Sequence, residues 1–332
     1  MSFQVVHPGL RTLVEDLGRP GLAALGVGPS GAADRGAHRL ANRLVGNPEG
    51  AATLEVLAGG LVLEARTATV VAVAGAPLPI QVAGRPVAFS TPVHVAAGEQ
   101  LELGRPVSGL RSYLAVLGGV DCPQTLGSRS TDTISGLGPV PLAAGDLFES
   151  GGKAVSVIDN GLWELAVGPA ADVACSAYRG PVGPVDGGPG DASGRATTLS
   201  ATWGPRADWF TGTAREIFAG SCWTVGADSD RVGVRCHGPR LERAVDGELE
   251  SEPVVRGSVQ IPPSGQPVFF LADHPTTGGY PVIAVLDPGS TDQVAQLRPG
   301  DRVRVRVRAA PYPTDLDLEG RPPSRTAGDT SP

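Results

Sequence analysis

The sequence predicts a mainly β protein, built as two related β-barrels in tandem with a few short helices. Three observations carry that expectation. The 332 residues include 47 glycines and 31 prolines, more than an ordinary globular chain holds, which suits many short strands joined by tight turns. Apolar runs of strand length recur between those turns. The chain also echoes itself across a Gly/Pro-rich middle. VGPSGAADRG (27–36), LEVLAGGLVLEA (54–65) and AAGEQLELG precede it; VGADSDRVG (225–233), ESEPVVRGSVQIP (250–262) and RPGDRVRVRV (298–307) follow in the same order. Closing each sheet on itself removes exposed strand edges in a chain this rich in β-structure.

In chain order, RGAHRLANRLVGN (35–47) reads as a helix with Ala37, Leu40, Ala41, Leu44 and Val45 on one face and Asp34 as its cap. The segments 69–84, 93–104 and 110–120 read as strands with glycine-marked turns. GPVGPVDGGPGDASGR (180–195) has almost nothing to bury and reads as a linker. RADWFTGTAREIF (206–218) is a second helical segment, interrupted by Gly212. The segment from Pro311 onward has the composition of a mobile tail. The expected organisation is a first barrel with its N-terminal segment over 1–158, a linker over 159–198, a second barrel over 199–309 and a tail over 310–332.

Composition removes several function classes. A net charge of −7 with no basic block argues against nucleic acid as partner. No apolar run approaches the ~20 residues of a membrane span, and MSFQVVHPGLRTLVEDLGRPG lacks the pattern of a signal peptide, so a cytoplasmic protein without membrane contact is expected. Cys122, Cys175, Cys222 and Cys236 show no C-x-x-C spacing, which favours free thiols and no metal site. Lys153 is the single lysine, and Met1 the single methionine. A biotin-carrying lysine flanked by methionines is therefore absent. Gly151-Gly152-Lys153 is followed by Ala154, with Leu147 where a phosphate-binding loop needs glycine, so the phosphate loop is excluded as well.

Five polar segments remain. In VEDLGRPG (14–21), Arg19 could grip a carboxylate or phosphate, or pair with Asp16 to fix the turn. In GPSGAADRG (28–36), Ser30 and Gly31 could present donors, or Asp34 could merely cap the helix. LGSRSTDTISGLGP (126–139) could bind an anion through Arg129 and its hydroxyls, or form a hydrogen-bonded loop. ADSDRVGVRCHG (227–238) repeats the Asp-Arg of 34–35 as Asp230-Arg231, which favours an architectural role. The strongest is VQIPPSGQPVFFLADHPTTGGYP (259–281). There Gln260 and a strand running into Asp273, His274, Thr276, Thr277, Gly278, Gly279 and Tyr280 can converge on one pocket. His274 has a free pKa near neutrality, which suits acid–base work, although a lone histidine beside a proline is more often a surface residue.

Taken together, these segments resemble one family, which contains the 5-oxoprolinase C-subunit, the antagonist of the sporulation kinase inhibitor and the allophanate hydrolase subunit 2, and which recurs in the carboxyltransferase domain of urea carboxylase. The resemblance runs over roughly residues 3–308. The family's Q-D-x-G-R stands here as Glu15-Asp16-Leu17-Gly18-Arg19, its S-G-x-x-D as Ser30 to Asp34, its A-N-x-L-V-G-N as Ala41 to Asn47, its S-D-R-x-G as Ser229 to Gly233, its Q-x-P-x-x-G-x-P from Gln260, and its D-x-x-T-T-G-G-Y-P as Asp273 to Pro281. Glu15 replaces the usual glutamine, and Ala33 and Val232 replace methionines. The resemblance implies cyclophilin-like barrels and a heteromeric complex with two further proteins. One is a partner that is itself cyclophilin-like, the 5-oxoprolinase B-subunit or its homologue. The other is the A-subunit, with which ATP-dependent opening of 5-oxoproline to L-glutamate is completed. The urea-carboxylase branch implies the alternative of carboxyl transfer from carboxybiotin, held on another chain, to a urea-like amide nitrogen. A third reading is a non-catalytic regulator that binds the B-subunit homologue, the kinase inhibitor. Each enzymatic reading needs a pocket for a small amide substrate beside a developing oxyanion. Asp273, Gln260 and His274 are the expected catalytic residues; Arg19, Thr276, Thr277, Gly278, Gly279 and Tyr280 are the expected substrate contacts, because amide and carboxylate recognition needs mixed donors and acceptors.

Overall fold

A computed structural model describes residues 2–151 and 196–308. Most of the expected linker and tail lie outside the described residues, as does Lys153. The first strand after the gap, Thr197–Trp203, begins two residues ahead of the expected start of the second barrel.

The first half is two sheets over one core. A seven-stranded sheet runs in the order Val120–Asp121, Leu147–Ser150, Ser2–Pro8, Leu61–Ala65, Gln100–Leu103, Ile80–Val82, Arg85–Val87, and a five-stranded sheet in the order Arg11–Glu15, Thr53–Leu57, Arg111–Val116, Thr69–Gly75, Val93–Val95. Phe3, Leu54, Leu63, Val73, Leu101 and Leu114 fill the space between them. The expected barrel is thus realised as a pair of facing sheets. Strand period two decides what lies on the other face of the five-stranded sheet. Val71 and Val73 point into the main core, whereas Ala72, Ala74 and Ala115 alternate outward. Those small side chains let α1 (Arg35–Leu44) lie close, through Ala37 and Ala41. Asp34 caps α1 as expected, its carboxylate accepting from Ala37 N at 2.9 Å.

The second half is a closed barrel in the order Thr197–Trp203, Val282–Leu286, Ser258–Gln260, Val268–Phe270, Gly233–His237, Trp223–Val225, Arg302–Arg308. Its last strand returns beside its first, in parallel register from Thr197↔Val303 to Thr202↔Arg308. The RVRVRVR run turns Val303 and Val305 into the core and its arginines outward. Trp223, Phe218, Phe269, Leu199 and Val259 occupy the barrel interior. The second helical segment splits: Ala207–Trp209 forms a single 3₁₀ turn, and α2 starts at Gly212 and runs to Gly220, capped by Thr211 on Ala214 N at 3.0 Å. Gly212 opens the helix rather than interrupting it. A third helix, α3 (Pro288–Val294), is not foreseen by the sequence, because PGSTDQV carries no helical apolar period; Pro at its start and burial of Ser290, Thr291 and Asp292 hold it.

The halves meet through polar contacts. Asp292 of α3 accepts from Arg35 N (3.0 Å) and Gly36 N (3.1 Å), so a carboxylate from the second half sits on the N-terminus of α1. Gln296 bridges Asp34 (2.8 Å) and the backbone of Leu110 and Arg111 (each 2.9 Å).

Candidate functional site

The polar residues singled out in the sequence converge where the Arg11–Glu15, Thr53–Leu57 and Arg111–Val116 strands of the first half face the loops that bracket the Gly233–His237 and Val268–Phe270 strands of the second. At the centre is Arg231. Its Nε and Nη2 donate to the two carboxylate oxygens of Asp273 (2.9 and 3.1 Å), its Nη1 to Glu55 (2.5 Å), and Nη2 also to Gly31 O (2.7 Å). Backbone bonds from Leu271 N to Val232 O (3.0 Å) and Asp273 N to Arg231 O (3.1 Å) extend the strand pairing into the loops and set the two side chains face to face. Asp273 further accepts from the Ser30 hydroxyl (2.8 Å), the Thr133 hydroxyl (2.6 Å) and Thr133 N (3.1 Å). Three segments of the chain, around residues 30, 133 and 231, thus end on one carboxylate.

Burial works against the charge of Asp273, but Arg231 and the Thr133 and Ser30 donors more than offset it and hold the carboxyl below its ordinary range. Glu55 is likewise held low: Arg231 and Arg111, 3.4 Å away, outweigh its burial. Tyr113 links Glu55 (2.7 Å) to Asp34 N (2.7 Å). Glu15 behaves oppositely. It is fully buried, and burial together with the charges of Glu55 and Asp273 pushes its carboxyl well above the usual range despite Arg231 at 3.2 Å.

This geometry bears on the catalytic role expected of Asp273. A group that is to take a proton from substrate must present a free lone pair to it. Asp273 is buried, and both its oxygens are engaged by donors that the protein itself supplies. It anchors and positions the loop that follows. Arg19 is also buried, with Nε on Thr125 O (3.3 Å) and Nη2 on Ser130 O, so it braces the 125–130 loop instead of reaching an exposed anion; its Nη1 has no hydrogen-bond partner. The Asp16–Arg19 pair does not form. Asp16 instead takes Gly18 N (2.7 Å), Ser128 Oγ (2.7 Å), Ser130 Oγ (2.6 Å) and Arg129 N (2.7 Å), which makes LGSRSTD a hydrogen-bonded loop.

Beyond Asp273 the chain emerges. His274 is buried on Phe270 (ring centroids 6.2 Å apart), its Nδ1 2.8 Å from Pro275 O, and burial holds its pKa below the ordinary value, so the ring is neutral at pH 7. Thr277–Gly278 pairs with Glu252–Pro253 as a small ribbon. Behind it lies a second small core of Val254, Val268, Phe270 and Val282 on the outside of the barrel. Gln260, on the adjoining strand and buried, donates Nε2 to Tyr280 O at 2.9 Å. Gly278 is needed here by close approach: a Cβ at that position would stand 2.4 Å from Gln260 Nε2. Thr277, Gly279 and Tyr280 are exposed, Tyr280 at 43%, and Thr276 and Gly278 partly so. The arrangement presents a phenol, a hydroxyl and glycine backbone at the surface, with an amide and a neutral imidazole behind them. Among the described residues no cluster of His, Cys, Asp and Glu is arranged to hold a metal ion.

The match to a family model decides where this fold and constellation belong: residues 25–307 fit that of the carboxyltransferase domain, subdomain A and B. The chain belongs to this carboxyltransferase family. One relative is the 5-oxoprolinase C-subunit of Escherichia coli (strain K12), 33% identical over 305 residues that cover 91% of this chain and 89% of the relative. Among solved structures, the K. lactis urea amidolyase superposes with a TM-score of 0.78 at 31% identity over 92% of this chain and 18% of its own. TTHA0988 superposes with a TM-score of 0.75 at 34% identity over 92% of this chain and 55% of its own. The carboxyltransferase module therefore occurs both as a separate chain of about this length and as a part of much longer chains.

Several residues of the site escape the sequence reading. Glu55 lies in an apolar strand, where a single glutamate reads as solvent-facing. Arg111 carries no motif, and Thr133 lies in the polar 126–139 segment without being singled out there. Arg231 is visible, as a repeated Asp-Arg pair, and its architectural reading matches the ion pairs it makes.

Proposed function

We propose that this carboxyltransferase-family chain is a 5-oxoprolinase C-subunit, which acts with B-subunit and A-subunit homologues to open 5-oxoproline to L-glutamate at the expense of ATP. The observation that carries the reading is coverage. The match to the 5-oxoprolinase C-subunit spans 89% of that relative, whereas the urea amidolyase contains a comparable stretch as 18% of its length. In this reading the surface of Thr276, Thr277, Gly278, Gly279 and Tyr280 contacts the lactam, with Gln260 and His274 behind it. Asp273 holds the loop in place through Arg231. Hydroxyl and backbone donors suit the carbonyl oxygen, where negative charge develops when the ring opens. ATP belongs to the complex; the described residues contain no phosphate-binding loop with a lysine, so no step is assigned to nucleotide on this chain.

The second reading, carboxyl transfer from carboxybiotin to a urea-like nitrogen, is favoured by the TM-score of 0.78 to urea amidolyase. The same donors would then face an amide acceptor, and biotin would arrive on another chain, since Lys153 lies between Gly152 and Ala154 with no flanking methionine. Co-purification with both homologues, followed by assay of 5-oxoproline-dependent ATP hydrolysis and glutamate release, tests the proposal. Glutamate formation that requires all three chains supports it. Carboxylation of urea by the same chain with a biotin carboxylase and carrier, without glutamate formation, overturns it in favour of the second reading.

A further inference from the structure

The joint between the halves contains a charge imbalance that the proposed reaction does not use. Glu15, Glu55 and Asp273 bring three carboxylates to one place, and two guanidinium groups face them: Arg231, within 3.2 Å of all three, and Arg111, 3.4 Å from Glu55. The three acids are not equivalently placed. Asp273 and Glu55 each accept hydrogen bonds from Arg231 and from neighbouring donors, Glu55 from Ala33 N (3.0 Å) and the Tyr113 hydroxyl (2.7 Å) as well. Glu15 is fully buried, and neither of its carboxylate oxygens has a hydrogen-bond partner. The Ser130 hydroxyl nearby is committed to Asp16, itself surrounded by four donors. On the helix side, His38 meets Thr53 Oγ1 at 2.9 Å, and that hydroxyl lies 3.5 Å from Glu15 O, so among the described residues no further cation reaches the Glu15 carboxyl.

We infer that Glu15 is carried as the neutral acid in the folded protein, and that its ionisation is a pH-sensitive release for the joint that Arg231 makes between the two halves. A buried carboxylate that shares Arg231 at 3.2 Å with two other acids, and has no hydrogen bond to either oxygen, is costly, and the proton removes that cost while leaving Arg231 and Arg111 matched by Glu55 and Asp273. Burial, with the charges of Glu55 and Asp273, raises the Glu15 carboxyl against the opposing pull of Arg231 and of the Ser130 hydroxyl. When the proton is lost to bulk water, a third negative charge competes for Arg231. The contact that yields most readily is the one to Asp273, because the 273–281 loop that it anchors runs out to the exposed ribbon, whereas Glu55 is fixed in a central strand. Higher pH therefore loosens the loop that carries Thr276 to Tyr280.

A carboxyl raised in the folded state stabilises fully below its unfolded value, near 4.5, and that contribution is lost as pH rises toward the folded value. Asp34, which burial and Asp292 raise to about 7, contributes with the same sign, and His38, lowered by burial to about 4, with the opposite one. Comparing the wild type with Glu15→Gln cancels both. The unfolding constant of the wild type relative to Glu15→Gln is expected to rise about tenfold per pH unit above 4.5 until the folded value is reached, with the protection of the amide hydrogens in residues 273–281, after correction for base-catalysed intrinsic exchange, falling over the same window in the wild type and not in Glu15→Gln. A pH-independent ratio, or equal exchange in both proteins, overturns the inference. A second measurement needs no variant. Infrared spectra of the wild type with ¹³C-labelled glutamate, at a pH just above the range in which ordinary glutamates titrate, should contain one isotope-shifted band of a protonated carboxylic acid; labelling glutamate alone leaves Asp34 silent. Absence of that band means Glu15 is ionised, and the inference fails.

Discussion

Asp273 and Tyr280 lie seven positions apart in one motif, yet they belong to opposite physical regimes. Asp273 and its partners form a buried lattice of charge in which every donor and acceptor is supplied by the protein. Tyr280 and Thr277 stand at the surface with partners left for a ligand. The difference teaches that a dense polar motif need not be one site. Its first residue organises the buried joint, and its last residues stand exposed.

Five experiments break or sharpen that contrast. The largest effect is expected at Arg231. Arg231→Leu leaves Glu55 and Asp273 buried without their shared cation, and should cost about 3–5 kcal/mol in chemical denaturation or abolish folding. A stable, well-folded variant would mean that the lattice is dispensable. Next is acid. His38 is fully buried and its pKa is lowered to about 4, so its neutral form stabilises the fold above pH 6.5, and that stability is lost as pH falls toward 4. The loss attributable to His38 should approach about 3 kcal/mol, and His38→Gln should flatten that limb of the pH profile. Third, Gly278→Ala drives a Cβ into Gln260 and breaks its bond to Tyr280, for about 1–3 kcal/mol by thermal unfolding and a loosened ribbon. The smallest structural effect belongs to the exposed end. Tyr280→Phe should change stability by less than about 0.5 kcal/mol. In the reconstituted complex it should lower turnover about tenfold if the phenol meets substrate. Asp273→Asn sharpens the comparison from the other side: its deficit should appear in melting temperature, with specific activity of the folded fraction retained.

The sequence reading succeeds where periodicity and turn chemistry act locally. Ala37 and Ala41 on one face of α1 and Asp34 as its cap are one-dimensional signals. It fails where the deciding partner lies far along the chain. Nothing near Asp16 reveals that Ser128 and Ser130, more than a hundred positions away, will displace Arg19 as its partner. Glu55 is indistinguishable in sequence from a solvent-facing strand residue until Arg231 is brought against it from the other half. α3 is invisible because its buried residues, Ser290, Thr291 and Asp292, are polar and serve the interface with α1 instead of an apolar core. The exposed residues of the 273–281 motif are the easier part to read, because loops announce accessible chemistry by composition, whereas buried charge is legible only as pairs.

The parallel return of Arg302–Arg308 beside Thr197–Trp203 sets an order on assembly. On the ribosome, the strand that seals the barrel is made after every other strand of that half. Until it emerges, Thr197–Trp203 and Trp223–Val225 each present an unpaired edge, and the apolar interior behind them stays open to water and to other nascent chains. Closure at such sequence separation is slow compared with hairpin formation. The half that carries the exposed ribbon is thus the half whose folding waits longest, and the one for which a chaperone, or an already folded first half, has the most to offer.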